Sequence, residues 1–240
     1  MKRFYSLETA GDNADLYIFG AIVTQTGGGW YADGTDVSPS GIVEELKGLT
    51  AKNITVHINS YGGETAGGLA IYNTLKNKDI KVKTVVDGYA CSAAAVIFMA
   101  GEERVMNEAS IFMIHNAWTY AAGNAKELRK SADDLDVVSE VSANAFRAHM
   151  TISEEELVSL LDNETYIKPE QAVEWGFATA LQSAAANGYL MSARRSIYNR
   201  VMAAPESGKN NPAVTEPPEA PLVIEPKEEV KTNFQKLIGA

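Results

Sequence analysis

Strand signals in this chain keep giving way to helix signals across glycine or serine turns. That alternation restricts the fold to α/β architectures with a largely parallel sheet. Ile54-Thr55-Val56-His57-Ile58 alternates as a strand, breaks at Gly62-Gly63, and yields to a small-residue helix from Thr65 to Asn77. Val82 to Val86 reads as the next strand. An unbroken apolar helix follows over Ser92–Ala100, and its composition predicts burial on every side. Upstream, Leu16-Tyr17-Ile18-Phe19 is a short strand closed by Gly20, and Gly27-Gly28-Gly29 marks a loop. Pro39 to Leu49 then carries Ile42, Val43, Leu46 and Leu49 on one helical face, with Ser38 as its cap. Downstream, Arg104-Val105-Met106 and Ile111-Phe112-Met113-Ile114 supply further strands. Asn124 to Met150 is a long polar-faced helix, and Ser153-Glu154-Glu155-Glu156 opens another with a capping box.

The pattern stops well before the end of the 240 residues. Only Pro39 and Pro169 precede residue 200, whereas six prolines fall between Pro205 and Pro226. Ala203–Lys227 mixes them with Glu, Ser, Asn and Gly, which predicts an extended linker, and Val230 to Ile238 regains the spacing of one short helix. Charge divides at the same place: residues 1–182 hold 14 basic and 25 acidic side chains, residues 183–240 seven and six. A catalytic-size domain over 1–182 and an extension over 183–240 is therefore expected. The net charge of −10 argues against a nucleic-acid-binding surface. No stretch is long and apolar enough for a membrane-spanning helix, and the first residues lack the apolar core of a secretory signal. A lone Cys91 cannot form an internal disulfide, which suits a reducing compartment. The expectation is a soluble cytosolic protein.

Chemistry is concentrated at the turns. Ser92 follows the Val82–Val86 strand at the head of a buried helix, where a hydroxyl either caps free amides or serves as a nucleophile beside them. Its surroundings are not Gly-x-Ser-x-Gly, so the α/β-hydrolase elbow does not apply. Gly62-Gly63, between strand and helix, is either a tight turn or a source of backbone amides for a developing oxyanion. His115 lies at the carboxyl end of Ile111–Ile114, where sites of parallel sheets gather. His57 within a strand and His149 among polar helical residues read as structural or solvated.

Ile58-Asn59-Ser60-Tyr61-Gly62-Gly63 with Ala66-Gly67-Gly68-Leu69-Ala70-Ile71-Tyr72-Asn73 resembles the oxyanion segment of the Clp protease proteolytic subunit family. Val86-Asp87-Gly88-Tyr89-Ala90-Cys91-Ser92-Ala93-Ala94 resembles its nucleophile segment, and Met113-Ile114-His115-Asn116 its histidine segment. Within the family, Gly123-Asn124-Ala125-Lys126-Glu127-Leu128-Arg129-Lys130-Ser131-Ala132-Asp133-Asp134-Leu135-Asp136 is most similar to the Clp-like head maturation (prohead) proteases of tailed phages. Glu164-Thr165-Tyr166 and Glu170–Phe177 match that subfamily too.

The resemblance implies a Clp/crotonase-like α/β fold with repeated, largely parallel sheet units and flanking helices. It implies Ser92 as nucleophile, His115 as general base, and the amides of Gly63 and Ala93 as oxyanion hole. The acid position falls on Glu164, with Asp162 two residues earlier as the alternative. Tyr61 departs from the family, which usually has proline there. Neither cofactor nor metal is implied. The implied partners are further copies in a homo-oligomeric ring, interlocked through the Leu128, Leu135 and Val138 side of the long helix, with scaffold and capsid proteins as substrates. The implied setting is an assembling procapsid in the host cytoplasm. Other readings are an ATPase-partnered Clp subunit, a crotonase-like acyl-CoA enzyme and a non-catalytic assembly protein. A Ser/Lys dyad would need a lysine at Ser92 and, usually, a membrane anchor.

Overall fold

The computed structural model of the chain describes residues 5–23 and 36–182. The Gly27–Gly29 loop, the 203–227 linker and the 230–238 helix expected above lie outside these residues. Strand β1 (Tyr5–Ala10) turns at Gly11, which adopts φ +60°, into antiparallel β2 (Asn13–Ile18). This hairpin is absent from the sequence-based expectation except for the apolar part of its second strand. Short β3 (Ala21–Ile22) pairs in parallel with β4 (Asp36–Val37), and α1 (Pro39–Gly48) follows. Ser38 caps α1 as expected, its hydroxyl accepting from the Gly41 N–H at 3.3 Å.

Next come β5 (Asn53–Ser60), α2 (Thr65–Lys76), β6 (Lys81–Cys91), α3 (Ala93–Phe98), β7 (Glu103–Asn107) and β8 (Ile111–Ile114). The long α4 (Ala125–Arg147) and α5 (Glu154–Asp162) precede β9 (Thr165–Ile167), α6 (Pro169–Glu174) and β10 (Ala180–Gln182). The main sheet runs β1-β2-β5-β6-β7-β10, parallel from β2 onward; β8 joins β6, and β9 joins β8 antiparallel. The expected α/β class with a largely parallel sheet and flanking helices is what forms.

One face of the sheet makes the core. Ile54, Val56 and Ile58 of β5 meet Ile42 and Leu46 of α1 and Ile71 and Leu75 of α2, all fully buried. Every residue of α3 is buried, as its apolar composition predicts. Phe98, Phe112, Phe146 and Phe177 stack edge to face or tilted beneath α3 and β8, with centroids 5.5–6.2 Å apart. The buried Arg104 guanidinium donates to the carbonyls of Phe177, Gly101 and Gly176, tying the turn after α3 to that after α6.

Two features steer the site. Strand β6 pairs with β7 through Lys83–Val86, but its last residues, Tyr89–Cys91, pair with β8. Between these stretches the register against β5 jumps from Ile58↔Val86 to Ser60↔Ala90. Asn59 fills the bulge: its Oδ1 accepts from the Tyr89 N–H at 3.2 Å and lies 2.5 Å from where a β-carbon at Gly88 would stand. Glycine at 88 lets the strand bend around that amide and carry Ser92 towards β8. The second feature is α4, capped by an Asn124–Glu127 box, whose buried residues, Ala143, Ala145 and Phe146, all lie near its end.

Candidate active site

Strand β6 ends in a forced elbow. Ser92 adopts φ +56° and ψ −124°, a conformation that costs a residue with a β-carbon roughly 1–3 kcal/mol. Hydrogen bonds on both sides hold it there. Its N–H donates to the Met113 carbonyl at 2.9 Å, and its own carbonyl accepts from Ala95 and Val96, starting α3. The hydroxyl makes no cap bond to the helix it heads. Instead Oγ lies 2.8 Å from Nε2 of His115. Of the two roles open to this serine from sequence, capping is the one the geometry removes.

The Gly62-Gly63 turn packs directly on this elbow. A β-carbon on Gly62 (φ +93°) would fall 2.5 Å from the Cys91 carbonyl oxygen and 2.7 Å from Cβ of Ser92; one on Gly63 (φ +145°) would strike the Ile22 carbonyl oxygen. Ile22 clamps the turn from β3, donating to the Gly62 carbonyl at 2.9 Å and accepting from Glu64 at 2.7 Å. Ser60 Oγ accepts from the Gly62 N–H at 3.0 Å. The amides on either side of Gly63 are therefore engaged, while the N–H of Gly63 has no partner among the described residues. The same holds for Ala93 at the head of α3. Two unused donors thus flank one hydroxyl, the arrangement an oxyanion needs.

His115 follows β8 and is half-buried. Burial pushes its pKa below the ordinary histidine range, and the negative charge of Glu164 pulls part of the way back. Glu164 itself sits at φ +47°, its N–H donating to the Leu161 carbonyl at 3.3 Å. Asp162 accepts at 2.7 Å from Nδ2 of Asn116, the residue after His115. Neither carboxylate hydrogen-bonds His115 among the described residues. Glu164 is the carboxylate that acts electrostatically on the imidazole.

Comparison with known proteins identifies the family. The Clp protease family model matches residues 36–184, a span that includes Gly63, Ser92, Ala93, His115, Asp162 and Glu164. The chain belongs to the Clp protease family. It is 30% identical over 141 residues to an ATP-dependent Clp protease proteolytic subunit of Deinococcus radiodurans, covering 56% of this chain and 69% of that one. The proteolytic subunit of Carsonella ruddii is likewise 30% identical over 146 residues, 59% of this chain and 75% of the relative. Clp proteases are serine peptidases.

In this Clp-family chain the other reactive side chains stand apart from the elbow's chemistry. Cys91 adjoins Ser92 but is fully buried, and burial pushes its thiol up to about 11, which keeps it neutral. His57 stacks on Tyr17, with Nδ1 2.9 Å from Asp87 and Nε2 3.7 Å from Asp15. His149 lies beyond α4 with Nε2 buried and no hydrogen-bond partner among the described residues. Sequence reasoning missed the support from Ile22, Ser60 and Asn59. Of these, only Ser60 left a signal, a polar residue where the Ile54-Val56-Ile58 alternation calls for an apolar one.

Proposed function

We propose that this chain is a serine endopeptidase of the Clp-like head maturation type. The observation that carries the reading is Ser92, held at a strained elbow with its hydroxyl 2.8 Å from His115 and two unpartnered amides beside it. In this reading Ser92 Oγ attacks the scissile carbonyl carbon as its proton passes to Nε2 of His115. The carbonyl π pair becomes an oxyanion held by the N–H groups of Gly63 and Ala93. Collapse breaks the C–N bond, and the proton on Nε2 goes to the departing amine. Water, deprotonated by the same imidazole, then releases the acyl group from Ser92. Glu164 stabilises the transient imidazolium; its charge already bears on His115, whereas Asp162 is bonded to Asn116.

The head maturation role is supported by the Gly123–Asp136 pattern and by glutamate at position 164. The substrates are then scaffold and capsid proteins, and the place of action an assembling procapsid in the host cytoplasm. Catalytic subunits would assemble as a ring, with residues 183–240 as an extension outside the catalytic domain. Co-expression of wild type and Ser92→Ala with the cognate capsid and scaffold proteins tests this by intact mass. Defined cleavage products present with wild type and absent with Ser92→Ala are expected; identical masses would refute it.

A second reading follows from the names of the relatives, ATP-dependent Clp protease proteolytic subunits. An unfoldase partner would make degradation of a folded substrate depend on ATP. Cleavage of capsid or scaffold protein by the purified chain without nucleotide separates the two.

A further inference from the structure

We propose that Tyr61, Tyr89 and Tyr166 wall a subsite for the substrate side chain immediately after the scissile bond, and that it prefers an aromatic or large aliphatic residue there. The inference rests on the roles of Ser92 and His115 given above. Three of the four segments that meet at the elbow carry one of these tyrosines; the His115 segment does not. Tyr61 precedes Gly62-Gly63, Tyr89 stands three residues before Ser92, and Tyr166 two after Glu164.

Register places them together. Cys91 pairs with Met113 and Met113 with Tyr166, so these three side chains share one face across β6, β8 and β9; Tyr89 and Ile111 form the adjacent row. The opposite face holds Ala90, Phe112, Ile114 and Ile167, all buried under the helices. His115 directly follows β8 and Glu164 directly precedes β9, so both stand at the end of this strand pair where Ile114 meets Thr165. Tyr89, Ile111 and Met113 are half-buried and make the floor, while Tyr61 and Tyr166 rise from it 72% and 63% exposed. The Tyr61 and Tyr89 rings lie 4.8 Å apart. The Tyr61 phenol is raised above its ordinary range first by Tyr89, with Cys91 and Tyr166 also acting on it.

Direction follows from chemistry. His115 must hand its proton to the amine that leaves, so the product bearing that amine departs on the histidine side, over β8 and β9. Its first side chain comes down on the tyrosine face. An apolar patch with phenol tips stays hydrated when empty and stacks on a ring when filled. The occupant is the polypeptide substrate because the patch is continuous with the site: Tyr61 is bonded to Gly62, whose β-carbon position lies 2.7 Å from Cβ of Ser92.

The test uses the full chain and a peptide set varied on both sides of one cleavage point, read by mass spectrometry. Wild type is expected to favour Phe over Ala after the bond by about tenfold or more in kcat/KM, the discrimination a good apolar pocket provides. Tyr61→Ala and Tyr166→Ala should each bring that ratio to within about twofold of unity while the preference before the bond persists; Tyr166→Phe should retain it. Absence of the preference in wild type, or its survival in both alanine variants, overturns the proposal. A change of oligomeric state in the variants with the preference intact assigns the patch to a contact between copies and also overturns it. Wild-type labelling by a fluorophosphonate, mapped to Ser92, tests the nucleophile separately.

Discussion

Gly62 stands so close to Ser92 that a β-carbon at position 62 would lie 2.7 Å from the serine's own. With φ at +93°, the position is doubly closed to other residues. Gly62→Ala should therefore push the oxyanion turn and the elbow apart. Misplacement on the order of 1 Å costs about 10²-fold in rate. Peptide cleavage is expected to fall by at least that factor while circular dichroism still reports a folded chain; activity within fivefold of wild type would contradict the close packing.

Backbone strain at Ser92 makes a separate prediction. Alanine at 92 keeps the β-carbon and the strain, whereas glycine removes both. Loss of the nucleophile should cost on the order of 10⁴–10⁶ in rate in either variant. Ser92→Gly is nevertheless expected to unfold at a higher denaturant concentration than Ser92→Ala, by about 1 kcal/mol. Equal midpoints would show that the elbow stores no strain.

How much of this could be read in advance depended on how local each feature is. Caps at Ser38 and Ser153, the all-apolar α3 and the alternating β5 are written in a few adjacent residues, and they form as expected. Strands β9 and β10 have three residues each, and β3 and β4 two. Such segments have no stability of their own and exist through their neighbours, so nothing in their sequence announces them. At the site, Ser92, His115 and the two glycines were legible as residue types at turns. The positive φ of Ser92 and Glu164 was not, because distant hydrogen bonds hold the elbow: Ser92 to Met113, Ile22 to Gly62 and Glu64. Whether Glu164 or Asp162 serves His115 turns on a loop between α5 and β9 that sequence spacing cannot resolve.

That distinction has a pH signature. Burial holds the His115 pKa below 6.5, so the acid limb of kcat/KM should fall below that value. Glu164 raises this pKa, so Glu164→Gln should move the limb to lower pH as well as lower the plateau. Asp162→Asn should leave the limb where it is. A silent Glu164→Gln beside a damaging Asp162→Asn would transfer the third role to Asp162.

Stability should also depend on pH through His149. Its pKa is lowered by burial, then by the positive charges of Arg104 and Lys76. The unfolded chain therefore binds a proton that the folded chain refuses, and ΔG of unfolding rises with pH in that window. Above the ordinary value of 6.5 this stability is fully present; it is lost as pH falls from there through the lowered folded value. His115, depressed in the same direction, adds to the slope. Urea midpoints should thus decline below pH 6.5, and His149→Phe should flatten the decline. An unchanged slope in that variant would mean that the group does not titrate as its burial requires.

The last expectation concerns assembly, and it comes from the face of α4 that no described residue covers. Its 23 residues extend about 35 Å, yet Leu128 and Val138, on one side of it, remain exposed. Most of a helix's stability in a protein comes from packing its apolar face, and exposed branched side chains add nothing to it without a partner. A second copy of the chain, offering its own α4, would cover the same apolar residues in a self-complementary contact. Leu128→Glu and Val138→Glu should therefore reduce the oligomer to smaller species in sedimentation velocity at micromolar concentration. The core residues Ala143, Ala145 and Phe146 are untouched, so the remaining secondary structure should persist in circular dichroism. If wild type sediments as a monomer and still cleaves folded proteins, the helix does not need that partner and the ring is not how this chain restricts its substrates.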